Sequence, residues 1–153
     1  MTTGAHPVAI IILGLCGSGK SLLATELESA GCLKFDEGVY KWWAGSSYGK
    51  LMTAIADGKD CVIVDIAYIV ERERAELVAD IRAHRPDAKV RWICFENDPE
   101  RANENCRRDP RRTPEQIASN LKQNALLTRG YSFPAGAEIR PIVAQETANT
   151  RAP

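Results

Sequence analysis

The tightest constraint on this chain lies near its start. "VAIIIL" (8–13) is a continuous apolar run rich in β-branched residues, as a strand buried on both faces requires. It runs into Gly14, Leu15, Cys16, Gly17, Ser18, Gly19, Lys20 and Ser21; Leu23, Leu27 and Ala30 then recur at helical spacing, and Gly31 closes the helix. The octet fits G-x-x-x-x-G-K-[ST] without a mismatch, in the strand-to-helix setting that gives the pattern its meaning. A polyphosphate must be surrounded by backbone N–H groups, so the chain has to bend sharply and come close, which glycine permits. The following helix adds the positive end of its dipole. In such a loop Lys20 supplies a point charge to the β- and γ-phosphates and Ser21 offers a hydroxyl to Mg²⁺, so ATP and Mg²⁺ are the expected ligands.

The rest of the chain keeps alternating. "CLKF" (32–35), "CVIVD" (61–65), "KVRWICF" (89–95) and "AEIRPIV" (137–143) read as strands. Helices are expected over 48–58, over 71–84 with Leu77, Val78 and Ile81 on one face, and in a pair started by Asp98-Pro99 and by Thr113-Pro114-Glu115-Gln116. Asp at the cap with Pro behind it is a good helix start, and Thr followed three places later by Gln is a capping box. Strands alternating with helices predict an α/β fold: a mostly parallel sheet of about five strands with helices on both faces. With 153 residues, one domain over 1–143 is expected, followed by a polar, disordered tail over 144–153.

Twenty basic and 20 acidic residues cancel, so whole-chain charge gives no pointer to nucleic acid, although a local basic patch can suffice. Cys16, Cys32, Cys61, Cys94 and Cys106 are scattered, form no Cys-x-x-Cys, and are accompanied by only two histidines. That argues against a disulfide framework or a zinc site and for reduced thiols in a cytoplasm. The apolar run at 8–15 is too short to span a membrane and no basic stretch precedes it, so no membrane partner is expected.

The glycine loop and the order of elements resemble the small P-loop kinases: nucleotide, shikimate, gluconate and polynucleotide kinases. The likeness covers nearly the whole chain in order of elements, but only the loop is highly specific. It implies a three-layer P-loop kinase fold with a short arginine-bearing lid. Ligands of an open parallel sheet sit beyond the carboxyl ends of its strands. Asp36, Asp65 and Asp98 fall there. Asp65 closes an apolar strand, like the second acidic motif of P-loop proteins, which implies holding Mg²⁺ directly or through water. Asp36 matches the aspartate that accepts the hydroxyl proton in polynucleotide-kinase-like enzymes, with Glu37 beside it as a competitor. Asp98 is read as a helix cap. The stretch "PERANENCRRDPRRTPEQ" falls at the lid; the resemblance gives Arg107 and Arg108 the role of stabilising the transferring phosphoryl group, with Arg111 and Arg112 next. "YSFPAGAEIRPI" falls where these kinases carry a loop against adenine, and either Tyr131 or Pro134 packs there or the segment is simply a loop leading into a strand.

"GVYKWWAGSSYGK" (38–50) borders the acceptor side. Its aromatic rings, with Lys41 and Lys50 between them, suit either stacking on a base or ordinary packing at the sheet edge. The assembled pattern resembles the polynucleotide-kinase-like branch. More narrowly, it is similar to small viral kinases that phosphorylate the hydroxymethyl group of 5-hydroxymethyluracil within DNA, which implies DNA modification in a host cytoplasm. The alternative acceptor is a free nucleoside, nucleotide or other small hydroxyl compound. A GTPase switch fits poorly, because Asp65-Ile66-Ala67-Tyr68 lacks the glycine of D-x-x-G and no N-K-x-D occurs.

Overall fold

A computed structural model describes residues 6–145. The elements in chain order are β1 (Val8–Leu13), α1 (Lys20–Ser29), β2 (Leu33–Asp36), α2 (Tyr48–Ala56), β3 (Cys61–Val64), a 3₁₀ turn (Ile66–Ile69), α3 (Glu71–His84), β4 (Lys89–Phe95), α4 (Pro99–Arg108), α5 (Pro114–Leu127) and β5 (Glu138–Arg140). The strands form one sheet in the order β2-β3-β1-β4-β5, and every pairing is parallel. β1 is central, with Ile11 opposite both Ile63 and Trp92.

The period-two alternation of β1 sorts its side chains into two layers. Ile11 and Leu13 pack with Leu51 and Ile55 of α2 and Leu77 and Ile81 of α3. Ile10 and Ile12 pack on the other face with Leu23 and Ala24 of α1, Ala102 of α4 and Phe95. A fully buried isoleucine or leucine contributes about 1.5–3 kcal/mol, so this double-sided burial holds the central strand under the loop that follows it. The described helices include none long and apolar enough to cross a membrane.

Local signals explain the helix ends. Asp98 Oδ1 accepts from Arg101 N, and Thr113 and Gln116 exchange both bonds of a capping box. α3 carries Glu71 and Glu73 in its first turn and Arg82 and His84 in its last, matching the helix dipole.

Two strands are shorter than expected. The strand expected over 61–65 stops at Val64, because Asp65 turns to cap the 3₁₀ turn, which sequence reading missed. The last strand spans three residues, not 137–143, since Pro141 has no N–H to continue an edge ladder. Of the tail expected over 144–153, Ala144 and Gln145 run along the sheet's ligand side, with Gln145 N donating to Asn105 Oδ1 at 2.7 Å. Residues 146–153 lie outside the described residues.

Candidate active site

The crevice at the carboxyl ends of the strands is filled by residues 14–21, leaving β1. Gly17 and Gly19 take φ of +88° and +104°, the left-handed region that glycine enters without a Cβ penalty. Leu15 is fully buried and anchors the loop's base, and Ser18 N donates to Leu15 O at 3.2 Å. A Cβ at Gly17 would lie 2.2 Å from Ala102 O and 2.9 Å from Cys106 Sγ, so α4 presses on the loop backbone. Gly17→Ala combines this clash with a left-handed φ. It is expected to destabilise the protein by roughly 3 kcal/mol; a urea midpoint shifted at unchanged slope checks this.

Lys20 opens α1, and its Nζ donates to Gly14 O and Leu15 O, each at 2.7 Å. Burial lowers its ammonium to about 8, against the opposing pull of Cys16 and Asp36. The described residues contain two buried side-chain oxygens without a partner, Ser18 Oγ and Asp36 Oδ1. Both residues line the cleft above the loop, together with Lys20 and Ser21. Two orphaned polar atoms beside a lysine and a run of loop amides fit a polar, phosphate-bearing ligand.

Asp65, expected to hold Mg²⁺ directly or through water, also lines this cleft, and its carboxylate takes backbone bonds. Oδ1 accepts from Ala67 N at 3.0 Å, and Oδ2 accepts from Val39 N at 3.0 Å and Tyr40 N at 3.2 Å. Three of about four lone-pair directions are taken. Asp65 therefore ties the end of β3 to the segment following β2 and fixes that segment's path. No three His, Cys, Asp or Glu side chains come together as a metal cage among the described residues.

The arginines divide into two sets. Arg107 and Arg108 are exposed at the end of α4 and pair with Glu104, one turn earlier, at 3.6 and 2.9 Å. They do not line the cleft, although the resemblance put them ahead of Arg111 and Arg112; helical spacing from Glu104 turns them to solvent. Arg111 and Arg112 do line it. Buried Asp109 orients both: it accepts from Arg111 Nε and Nη2 at 2.9 Å and from Arg112 Nε at 3.1 Å. The Arg111 guanidinium holds the Asp109 carboxyl well below the usual carboxylate range. Arg112 also donates to Asn120 Oδ1 and to Cys106 Sγ, so its plane is fixed by both helices of the pair.

Of the expected aromatics, Trp43 lines the same cleft as Asp36. Lys41 faces α3 instead, paired with Glu76 at 2.6 Å and Asp80 at 3.0 Å. Tyr131 bonds the Phe95 carbonyl through its hydroxyl and packs into the core. Pro134 sits in a shallow depression beside Arg74, Val78 and Trp92 of α3 and β4. Neither lines the cleft. The cleft is instead lined, on the β5 edge of the sheet, by Arg140 and residues 143–145. Sequence reading missed these, and also Asn105, which lines the cleft, and Asn124, both of which bond the loop backbone.

A parallel five-stranded sheet with a glycine loop after its central strand and helices on both faces is the P-loop kinase type of fold. Solved structures that share it include two that span nearly the whole chain. One, described as APE1195, superposes with a TM-score of 0.55 at 17% identity, over 94% of this chain and 88% of its own. The other, a fungal RNA kinase, superposes with a TM-score of 0.52 at 11% identity, over 97% of this chain and 79% of its own. No protein-family model matches the sequence, and no curated protein matches it significantly.

Proposed function

We propose that the protein is an ATP-dependent kinase that transfers the γ-phosphoryl group to an acceptor hydroxyl, in the manner of polynucleotide kinases. The observation that carries this reading is the pairing, in one cleft, of the loop lysine with the partnerless buried oxygen of Asp36. Loop amides and Lys20 hold the phosphates. Asp36 takes the acceptor's proton as its oxygen bonds to the γ-phosphorus and ADP departs with the bridging oxygen. Arg111 and Arg112, on the lid side, offset charge on the moving group. Mg²⁺ would be held by Ser21 and the nucleotide's oxygens, with Asp65 acting through water; its chemistry is to neutralise phosphate charge.

For the acceptor, the sequence resemblance supports the hydroxymethyl group of 5-hydroxymethyluracil in DNA. Trp43 in the same cleft as Asp36 suits a flat base, and likeness to an RNA kinase supports a polynucleotide. A second reading, a free nucleoside or small hydroxyl compound, is favoured by charge. At the β2 edge Asp36, Glu37 and Trp43 line the cleft with Glu26 of the neighbouring α1, whereas Arg140 lines it from the β5 edge and Arg111 and Arg112 from the turn after α4. An acidic acceptor end attracts a phosphate backbone poorly.

γ-Labelled ATP should be offered with hydroxymethyluracil DNA, unmodified DNA, 5′-hydroxyl RNA, free nucleosides and free nucleotides. Label in hydroxymethyluracil DNA alone is the outcome expected from the first reading. Label confined to a free small molecule replaces it with the second, and label in none of them rejects both acceptor classes.

A further inference from the structure

Two asparagines grip the phosphate loop by its backbone. Asn124 of α5 is fully buried. Its Oδ1 accepts from Cys16 N at 2.8 Å, and its Nδ2 donates to Cys16 O and to Asn103 Oδ1, both at 2.9 Å. One carboxamide thus engages both backbone polar groups of a single loop residue. Asn105 of α4 is only 3% exposed. Its Nδ2 donates to Gly17 O and Val143 O, both at 2.9 Å, and its Oδ1 accepts from Gln145 N at 2.7 Å.

Neither residue is explained by its helix. Asparagine is a mediocre helix former, and a buried carboxamide is unfavourable unless its groups are paired. These two are paired: Asn124 with both backbone groups of Cys16 and with the Asn103 side chain, Asn105 with three backbone groups. Each carboxamide donates two N–H bonds and accepts one; a serine hydroxyl has a single donor, aspartate loses the donors and leucine loses everything. The consequences of the two grips differ. The Cys16 N–H is spent on Asn124 and the same carboxamide holds the Cys16 carbonyl, which fixes the backbone of the loop at that residue. Asn105 instead joins Gly17 to Val143 and Gln145.

We infer that Asn124 and Asn105 are positioning residues of the donor site: Asn124 fixes the shape of the phosphate loop, and Asn105 sets the distance between that loop and the 143–145 segment, which follows the β5 edge of the sheet, opposite Asp36 on the β2 edge, and so takes the nucleoside end of a donor whose γ-phosphate faces Asp36. The inference rests on the ATP-site reading above. Because both asparagines lie on the helix pair that carries Arg112, they also hold the arginine-bearing turn in register with the loop.

The test separates phosphate from nucleoside. Calorimetry with ATP and with inorganic tripolyphosphate should be run on the wild type, Asn105→Ala and Asn124→Ala. Asn105→Ala is expected to weaken ATP about tenfold while changing tripolyphosphate less than about threefold; Asn124→Ala is expected to weaken both about tenfold alike. Equal losses for both ligands in Asn105→Ala, or unchanged affinities in either variant, would overturn the assignment. For Asn124→Ala the folded fraction, read by circular dichroism on the same samples, is expected to stay at the wild-type value, and a loss of affinity that only tracks a lost folded fraction overturns its part. Should Asn124→Ala fail to fold, hydrogen exchange on the ligand-free wild type decides its part. The Cys16 amide should be protected well beyond the Gly19 amide, and fast exchange at Cys16 removes the grip. A wild type that binds neither ligand rejects the ATP-site reading, while the exchange measurement still reports on the grip itself.

Discussion

Phosphoryl transfer is expected to disappear when Lys20 is replaced by alanine, with kcat/KM for ATP falling about 10³-fold or more. The reason is visible in the lysine's own contacts. Its ammonium donates to the carbonyls of Gly14 and Leu15, two residues of the loop it serves. Carbonyl oxygens are weaker partners than phosphate oxygens, so the side chain is held at the loop and is free to exchange toward a bound polyphosphate. Burial meanwhile lowers its ammonium to about 8, with Arg112 adding to the lowering and Cys16 and Asp36 opposing it. A bound polyphosphate favours the charged form and raises that value.

The sign of the pH dependence follows. A group whose proton is held more weakly in the free protein than in the complex contributes full affinity below the free value. That contribution is lost as pH rises through it. ATP affinity should therefore be flat near neutrality and fall above pH of about 8, by up to roughly tenfold per pH unit. Binding at pH about 9 should take up a proton, read as different apparent enthalpies in buffers of different ionisation enthalpy. Binding without proton uptake would show that Lys20 is not the titrating group, and undiminished turnover in Lys20→Ala would end the phosphate-loop assignment.

Local signals in the sequence were enough for most of the scaffold. β1, α3 and β4 fall where the apolar runs and helical spacing put them, and both helix starts carry the caps their residues promise. The loop was legible because its chemistry is local: glycines, one lysine and one serine at fixed spacing. What sequence reading misplaced depends on pairs of residues brought together by folding. Arg107 and Arg108 look as suited to phosphate as Arg111 and Arg112, and the difference is made by Glu104 on one side and buried Asp109 on the other. The i, i+3 and i, i+4 spacing from Glu104 was there to be read; the burial of Asp109 was not. Asp65 ends its strand as a metal-holding residue would, and its oxygens also accept from backbone N–H groups of residues 25 and 26 positions earlier and of a turn two positions later, a second task that no local pattern shows. Asn105 and Asn124 pass for ordinary polar positions in amphipathic helices, because their partners lie 88 and 108 positions away in the chain.

Asp36→Asn should leave ATP affinity within about threefold of the wild type and lower kcat by about 10²–10⁴-fold. The aspartate ends β2, and its Oδ1 is buried without a partner while the residue lines the cleft that holds Lys20. An unpaired buried acceptor costs about 1–3 kcal/mol, a cost that an incoming hydroxyl would offset by donating to it. The turn behind it is held against its own preference. Glu37 has φ of +64°, which costs a non-glycine residue about 1–2 kcal/mol. Glu37 N donates to Val64 O at 2.8 Å and Asp65 grips Val39 and Tyr40, so neighbouring strands impose the shape. Such enforcement is informative when it aims a reactive group, and here it fixes the backbone next to Asp36. Asparagine keeps the size and the acceptor oxygen but cannot take a proton. A true base therefore loses turnover on this change without losing the nucleotide. Glu37 is the control: it is exposed, and Glu37→Gln should keep kcat within about threefold. Steady-state kinetics of the two variants, with ATP binding measured separately, decide between the neighbours. Collapse in Glu37→Gln with normal turnover in Asp36→Asn would move the base by one residue, and normal turnover in both would remove general-base catalysis from this end of the cleft.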